Sequence, residues 1–511
     1  MIRFVWLTVL ACCLLLSIGG AVTASIIATG NFPMDRIEST DYIYVRYGEE
    51  LRLVDSRRAL YHHIQPQISY YVIPGKSGNP VDSIIACRFY QLRFARNSHL
   101  NRLTGIDGDP QRLPHLLLRL VPYTEEIAAN DTSAIHRVGL SAETWFIPAS
   151  NMQVHIRARL ENHGELYSQF AGRIWKEKLT GWLDNAAFYY YKNGFFGSVG
   201  RSYLIWGPEE RDALLISSNS PPFDRLWLGY EHKFLRFDYF LAQLDEINVA
   251  DTTMSRYLVA HRLSLRKTGL FELGLSEVAL FGSPNRSLEW HYLNPFLPYY
   301  WEQYNATGDD NILFGADLAI YWPRKCRIFA ELVVDDFQID FESEPHQVGY
   351  KIGFDALAPL GLVRLFTKLS YTRVNATVYG QNKPQNLYLH QDEPIGYFGG
   401  NDQDRLYALL RYHISPTFDA ELELQYTRRG EGGIEPHDES AVPYLDKFPT
   451  GAVEKSQSIS FQLHMFESHL LVGHLRAGYT HYENHRHIDG QEHDRAEIGI
   501  FLSYYLQGWL H

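Results

Sequence analysis

The chain has 511 residues, 45% of them hydrophobic, 21% charged and 14% aromatic, which is too long and too apolar for a disordered chain. Lys+Arg total 47 against Asp+Glu 59, a formal net charge of −12. That lacks the basic surplus of a nucleic-acid binder, so nucleic acid is not an expected partner. The aromatic residues are the unusual entry, with 34 Tyr, 28 Phe and 10 Trp. Arg outnumbers Lys, which suits a charged interior or a polyanionic neighbour as well as it suits a bias of genome composition.

The N-terminus reads as an export signal. Arg3 supplies a positive start, Val5 to Ile18 form an apolar core broken by Thr8 and Ser17, and Gly19 to Ala24 supply small residues before Ser25. Cleavage is expected near Ala24, with Leu10-Ala11-Cys12 a loose lipobox alternative. Cleavage leaves Cys87 and Cys326, which either pair in an oxidising compartment or stay as buried thiols. Residues 25–130 are expected to be a mixed region, either a periplasmic plug or early strands. Short helices are expected at Arg57–His63 and at Leu113–Val121, the second opened by Pro114.

From about Val138 onward the pattern is alternation with period two. In Gln153–Glu161, Val154, Ile156, Ala158 and Leu160 share one face, while His155, Arg157, Arg159 and Glu161 share the other. Tyr257–Arg266, Phe271–Ser276, Val363–Thr372, Leu406–Ile414, Ala420–Arg428, Ile459–Met465 and Leu475–Tyr479 repeat it. A soluble sandwich alternates too, but several segments reach the roughly 9–11 residues that a tilted strand needs to cross a bilayer. No linker divides the region, and aromatic residues gather at segment ends, as in Phe188-Tyr189-Tyr190-Tyr191. The expected fold is therefore all-β: a transmembrane antiparallel barrel over residues 131–511, in the outer membrane of a Gram-negative bacterium. Length suggests about 16 to 20 strands at an even count. Glu497–Tyr504 resembles the C-terminal insertion signal of such barrels, although the chain runs on to His511.

Four ordered segments carry a family resemblance. They are Gly200–Pro208 with its continuation Ala213–Phe223, then Tyr292–Gln303, Ala330–Asp340 and Glu393–Asp402. Together they resemble the capsule-assembly Wzi family. The resemblance implies a barrel of about eighteen strands, an N-terminal periplasmic part and a lectin-like role in attaching or organising capsular polysaccharide. It implies no catalytic residues.

Polysaccharide recognition needs flat apolar faces for sugar rings, with amides, carboxylates and Arg for hydroxyls or acidic groups. The proline-containing stretch from Trp290 through Tyr292 and Asn294 to Tyr299, Tyr300, Trp301, Glu302 and Gln303 supplies both kinds. Girdle or plug packing is the plainer reading of the same rings. Arg201, Trp206 and Asn219 fall in the first segment, where Pro221-Pro222 cannot extend a central ladder and predict an inward turn or constricting loop. Glu331, Asp335, Asp336 and Asp340 suggest an oxygen-ligand site, but they split between two parities. Unless a bulge shifts the register, a charged lumen wall is the plainer account. His481, His485, His487 and His493 surround a turn that reads as a polar loop or a metal site.

No Gly-x-Ser-x-Gly elbow, His-Glu-x-x-His helix or phosphate-cradling loop is present, so no catalytic residue, metal or cofactor is expected. The expected partners are surface polysaccharide, outer-membrane lipids including lipopolysaccharide, and the barrel-insertion machinery. A channel and an outer-membrane hydrolase are the rival readings.

Overall fold

The computed structural model describes residues 116–510, apart from 150, 168–169, 176–178, 209–211, 268–269, 285, 306–309, 322–325, 337–346, 358, 363–364, 416–417, 437–446, 468–470 and 505. The expected signal segment, the helix expected at Arg57–His63, Cys87 and Asp340 lie outside these residues.

The alternation becomes eighteen antiparallel strands. They are β1 Leu116–Ala129, β2 Ile135–Ala149, β3 Met152–Asn162, β4 Leu179–Lys192, β5 Phe195–Arg201 and β6 Asp224–His232. Next come β7 Leu235–Gln243, β8 Thr252–Lys267, β9 Phe271–Ser283, β10 Asn311–Tyr321, β11 Cys326–Asp336 and β12 Gln347–Leu357. The last six are β13 Leu365–Val374, β14 Gln403–Ser415, β15 Phe418–Arg429, β16 Glu454–Glu467, β17 Leu471–Glu483 and β18 Glu492–Tyr504. Each strand pairs with its neighbours in chain order, and β18 returns to β1 from Tyr123↔Ser503 to Ala129↔Glu497. Closure leaves no strand edge to face hydrocarbon, where nothing would satisfy it. The residues past β18 extend the seam, pairing from Leu120↔Leu506 to Leu116↔Leu510.

Leu116–Ala129 corrects two expectations, the helix at 113–121 and the barrel's start at 131. The run Leu116-Leu117-Leu118-Arg119-Leu120-Val121 is nearly continuous in apolar residues, and periodicity alone does not separate a helix from a strand there. The burial resolves it, since Arg119 and Val121 are buried while Leu118 and Leu120 are exposed.

The same parity sorts the rest of the wall. In β3, His155, Arg157, Arg159 and Glu161 are buried in the lumen, and Ile156 and Leu160 lie on the exposed outer face. Buried charge must be paired. Glu143 takes Arg119 at 3.1 Å, and Asp184 takes Arg157 and Arg159 at 2.7 Å each. Asp184 is the extra residue of a bulge where β4 passes β3, so one carboxylate sits between both guanidinium groups. Arg262 meets Asp317 at 2.5 Å, and Arg411 pairs with Glu421.

Strands β4–β5, β6–β7, β8–β9, β14–β15 and β16–β17 are separated by two or three residues, whereas long connections span 202–223, 284–310, 375–402 and 430–453 at the opposite end. In bacterial barrels short turns face the periplasm and long loops the exterior. Phe146, Phe188, Phe195, Tyr230 and Phe234 are exposed near the short-turn end, as an interfacial aromatic girdle requires.

Candidate functional site

Two of the long loops fold into the lumen. Leu204, Trp206, Leu214, Leu215, Ile216 and Phe223 come from 202–223, and Tyr379, Tyr388, Ile395 and Tyr397 from 375–402. Both sets join one apolar cluster with the inward wall residues Phe196, Phe240, Leu258, Val278, Leu313 and Val333. Pro221-Pro222 offers no N–H to a ladder, which keeps this stretch out of the wall. The first loop closes on itself as Trp206 N–H donates to the Ile216 carbonyl at 3.0 Å. The two loops then interlock. Ser217 N–H donates to Ile395 O at 2.9 Å and its hydroxyl to Gly396 O at 2.5 Å. The Tyr388 hydroxyl donates to Leu215 O at 2.9 Å, the Tyr379 hydroxyl to Leu214 O, and Asn219 Nδ2 to Pro394 O at 3.1 Å. At Gly396 the loops touch so closely that a Cβ would lie 2.3 Å from Leu214 O.

Irregular backbone inside a barrel leaves N–H and C=O groups that the wall must satisfy. Arg256 alone donates to Gln385 O, Leu387 O and Leu389 O at 2.9, 2.7 and 2.9 Å. Arg327 donates to Pro208 O at 2.8 Å, Arg225 to Tyr203 O at 2.8 Å, and Lys351 to Asp212 O. In the other sense Glu331 accepts Leu214 N–H at 2.7 Å and Asp335 accepts Tyr379 N–H at 2.5 Å. Asp402 accepts Gly432 N–H at 2.9 Å and Thr450 N–H at 3.0 Å, tying both ends of the next long connection to the same assembly. Asp245 lies 2.9 Å from His390 Nδ1 and 3.1 Å from Arg256. Burial would raise the Asp245 carboxyl, but the His390 hydrogen bond and the Arg256 charge outweigh it and hold it below the usual range. Burial pushes the Tyr397 hydroxyl up to about 12, so it stays protonated.

The loop 284–310 goes elsewhere. In β8 and β9 the pairs Leu258↔Leu280 and Ala260↔Val278 face the plug, so the alternate pairs Tyr257↔Phe281, Val259↔Ala279 and His261↔Glu277 face outward. Tyr292 and Tyr299 pack with Val259, Ala279, Phe281 and Ile312, on that outer face. The described residues of this loop therefore lie as a flap against the outside of the wall. Tyr292 stacks on Phe281 with ring centroids 4.1 Å apart, and its hydroxyl donates to Asp310 at 2.5 Å. Arg286 bridges Glu289 and Asp310. Helix α1, Tyr299–Asn305, starts on the wall carboxylate Glu277, which accepts Tyr299 N–H at 3.0 Å and Tyr300 N–H at 2.7 Å. Gln303 Nε2 donates to Asp310 O at 2.6 Å and Glu302 accepts from Asn305 at 3.1 Å. Asn294 is exposed and turns back to accept Phe296 N–H at 3.1 Å.

The expected site residues thus fall into four places and form no single pocket. Trp206 and Asn219 are buried in the plug, and Arg201 at the end of β5 pairs with Asp224 at 2.6 Å. Trp290 to Gln303 form the outer flap. Glu331 and Asp335 hold plug backbone. The bulge that would let carboxylates converge does occur, since the ladder passes from Val334↔Val348 to Asp336↔Gln347 and skips Asp335. Among the described residues, no group of His, Cys, Asp and Glu is arranged to hold a metal ion. His485 stacks on His493 at 4.5 Å, His493 meets Asp131 at 3.1 Å, and His481 meets Asp494 at 2.8 Å. Arg256, Arg327, Lys351 and Asp402 carry no signal in the sequence that marks them as plug-holding residues. Their partners are set by loops folding across the lumen, and even Glu331 and Leu214 stand 117 residues apart.

A closed barrel with an apolar outer wall, a charged inner wall and a lumen filled by its own loops is a plugged outer-membrane barrel. The chain belongs to the Wzi capsule-assembly family, whose model, described as capsule assembly protein Wzi, matches residues 149–496. It is an outer-membrane protein of a Gram-negative bacterium. Among solved structures it is similar to Escherichia coli Wzi, an outer membrane protein involved in group 1 capsule assembly and a carbohydrate-binding β-barrel. The two share 14% identity at a TM-score of 0.54, covering 84% of this chain and 89% of that one. It is also similar to OpdK of Pseudomonas aeruginosa, at 11% identity and TM-score 0.45 over 77% of this chain and 99% of that one. No curated protein sequence matches it.

Proposed function

We propose that this chain binds capsular polysaccharide at the cell surface and helps to assemble or retain it there, without covalent chemistry. The observation that carries the reading is the interlocked plug. Loops 202–223 and 375–402 pack into one cluster in the lumen and are bonded to the wall on several sides, which favours a surface binder over an open channel. Family membership and the carbohydrate-binding relative point the same way. Polymer would engage the outer ends of the loops through many weak contacts, so that affinity grows with chain length. Lipopolysaccharide would be its neighbour in the membrane, and the barrel-insertion machinery its partner in biogenesis.

The test is to refold the mature protein in detergent and titrate it with its host's surface polysaccharide. A neutral dextran and a barrel of similar size serve as controls. Saturable, host-selective binding without ion conductance in a planar bilayer is the expected result. A folded barrel that shows no selective binding and conducts in steps would establish the channel reading instead. Release of soluble fragments from the polymer would establish the hydrolase.

A further inference from the structure

The outer flap, the described residues of 284–310, lies against a wall whose exposed leucines mark it as lipid-facing. Directly below its footprint, Leu263 and Leu275 are exposed on the same face of β8 and β9 as Tyr257, Val259 and His261, and the outward Phe237 pairs with Leu263. Phe296 stacks on Phe237 with centroids 5.4 Å apart at 17°. The flap thus reaches down to the level of the lipid-facing leucines and continues their apolar surface.

It also covers a polar flaw in that surface. His261 and Glu277, 2.9 Å apart, both point outward. A charged or polar pair facing hydrocarbon is costly. The Tyr299 ring packs 4.7 Å from His261, and the two backbone N–H groups at the start of α1 take the Glu277 oxygens. The flap also presents Trp290, Phe296 and Trp301 at 87%, 77% and 67% exposure, Phe296 at the edge where it meets Phe237. Indole rings, apolar in body with one polar N–H, prefer the interface between lipid chains and head groups.

We propose that the flap is a membrane-seated element whose Trp290, Phe296 and Trp301 face takes acyl chains of the outer leaflet. The occupant follows from continuity. The aromatic face adjoins the lipid-facing band of β7 to β9, and the flap's buried side is already committed to the wall. The rings the sequence marks as sugar platforms are then lipid anchors, and the flap seals His261 and Glu277 from hydrocarbon.

The protein is folded into phosphatidylcholine vesicles with brominated acyl chains, and emission is compared between the native chain and the double variant Trp290→Phe, Trp301→Phe. A difference in migration between unheated and boiled samples on detergent gels reports folding of each. The emission lost in the double variant is expected to be the part that brominated chains quench and aqueous iodide does not. Phe296→Trp in the double-variant background is expected to restore a lipid-quenched signal, which keeps the test open if either Trp site proves sensitive. Quenching of these signals by iodide rather than by brominated lipid would put the flap in water and overturn the assignment. Emission reached by neither quencher would mean that a second copy of the chain covers the flap, which overturns it equally.

Discussion

Gly396 shows how little room the plug leaves for a single atom. An added Cβ would sit 2.3 Å from Leu214 O and 2.7 Å from the Tyr379 hydroxyl, and the first of these is backbone that cannot swing away. Gly396→Ala is therefore expected to cost about 1–3 kcal/mol, the usual range for overpacking, and to lower the thermal midpoint. Gly433→Ala, at a position with open space around its Cβ, is expected to leave the midpoint unchanged. Equal midpoints for the two variants would contradict the close approach. Asp245 carries a pH dependence of defined sign. Its carboxyl titrates lower in the folded chain than the ordinary value of 3.8, so the ionised form is the stabilising one. The contribution is fully present above about pH 4 and disappears as the pH falls through the lowered folded value. Asp245→Asn, which removes a charged hydrogen-bond partner, is expected to cost about 1.5–3 kcal/mol at neutral pH. Denaturant midpoints at pH 7 and pH 3 check this, because the gap between native and variant should shrink at the lower pH. A gap that widens on acidification would reverse the sign.

The strands were legible in the sequence because one residue in two must face lipid and the other a charged lumen. Gln153–Glu161 and Ala420–Arg428 announce β3 and β15 without any tertiary knowledge. Leu116–Val121 failed the same reading because Leu117 breaks the alternation and leaves an apolar run. The loops were legible only as breaks. Pro221-Pro222 correctly excludes a ladder strand, but that its loop locks onto Ile395 and Gly396 depends on contacts set by the closure of the barrel. Trp290 to Gln303 were legible as an aromatic loop, whereas their place on the outer wall follows only from the parity of Val259 and Ala279. This division predicts separate behaviour. Replacing 378–398 with a short Gly/Ser link removes Tyr379, Tyr388, Ile395 and Tyr397 from the cluster, yet leaves every wall strand intact. The shortened chain is expected to fold, to migrate as a barrel and to conduct in steps where the native chain does not. A folded but still silent variant would mean that 202–223 alone closes the lumen.

At the scale of the molecule, charge decides which polymers can approach. The chain's formal charge is −12, and the outer loops share its sign. Among their described residues, Glu246, Asp251, Asp392, Glu431, Glu435 and Asp489 are exposed, and they outnumber the exposed cations Arg173, Lys447 and Arg486. A neutral polysaccharide meets no long-range field, so its binding should barely change with salt. An acidic one meets net repulsion from these described loop residues, and the screening length falls from about 30 Å at 0.01 M salt to about 10 Å at 0.1 M. Screening of that kind weakens the long-range repulsion more than it weakens a close ion pair held at Arg486 or Lys447. For an acidic polymer, association is therefore expected to strengthen as salt rises across that range, and to strengthen further with a divalent cation able to bridge two carboxylates. Titrations of one neutral and one acidic polymer at both salt concentrations would check it. Binding of the acidic polymer that weakens with added salt would show that a local cationic patch, not the rim as a whole, controls the encounter.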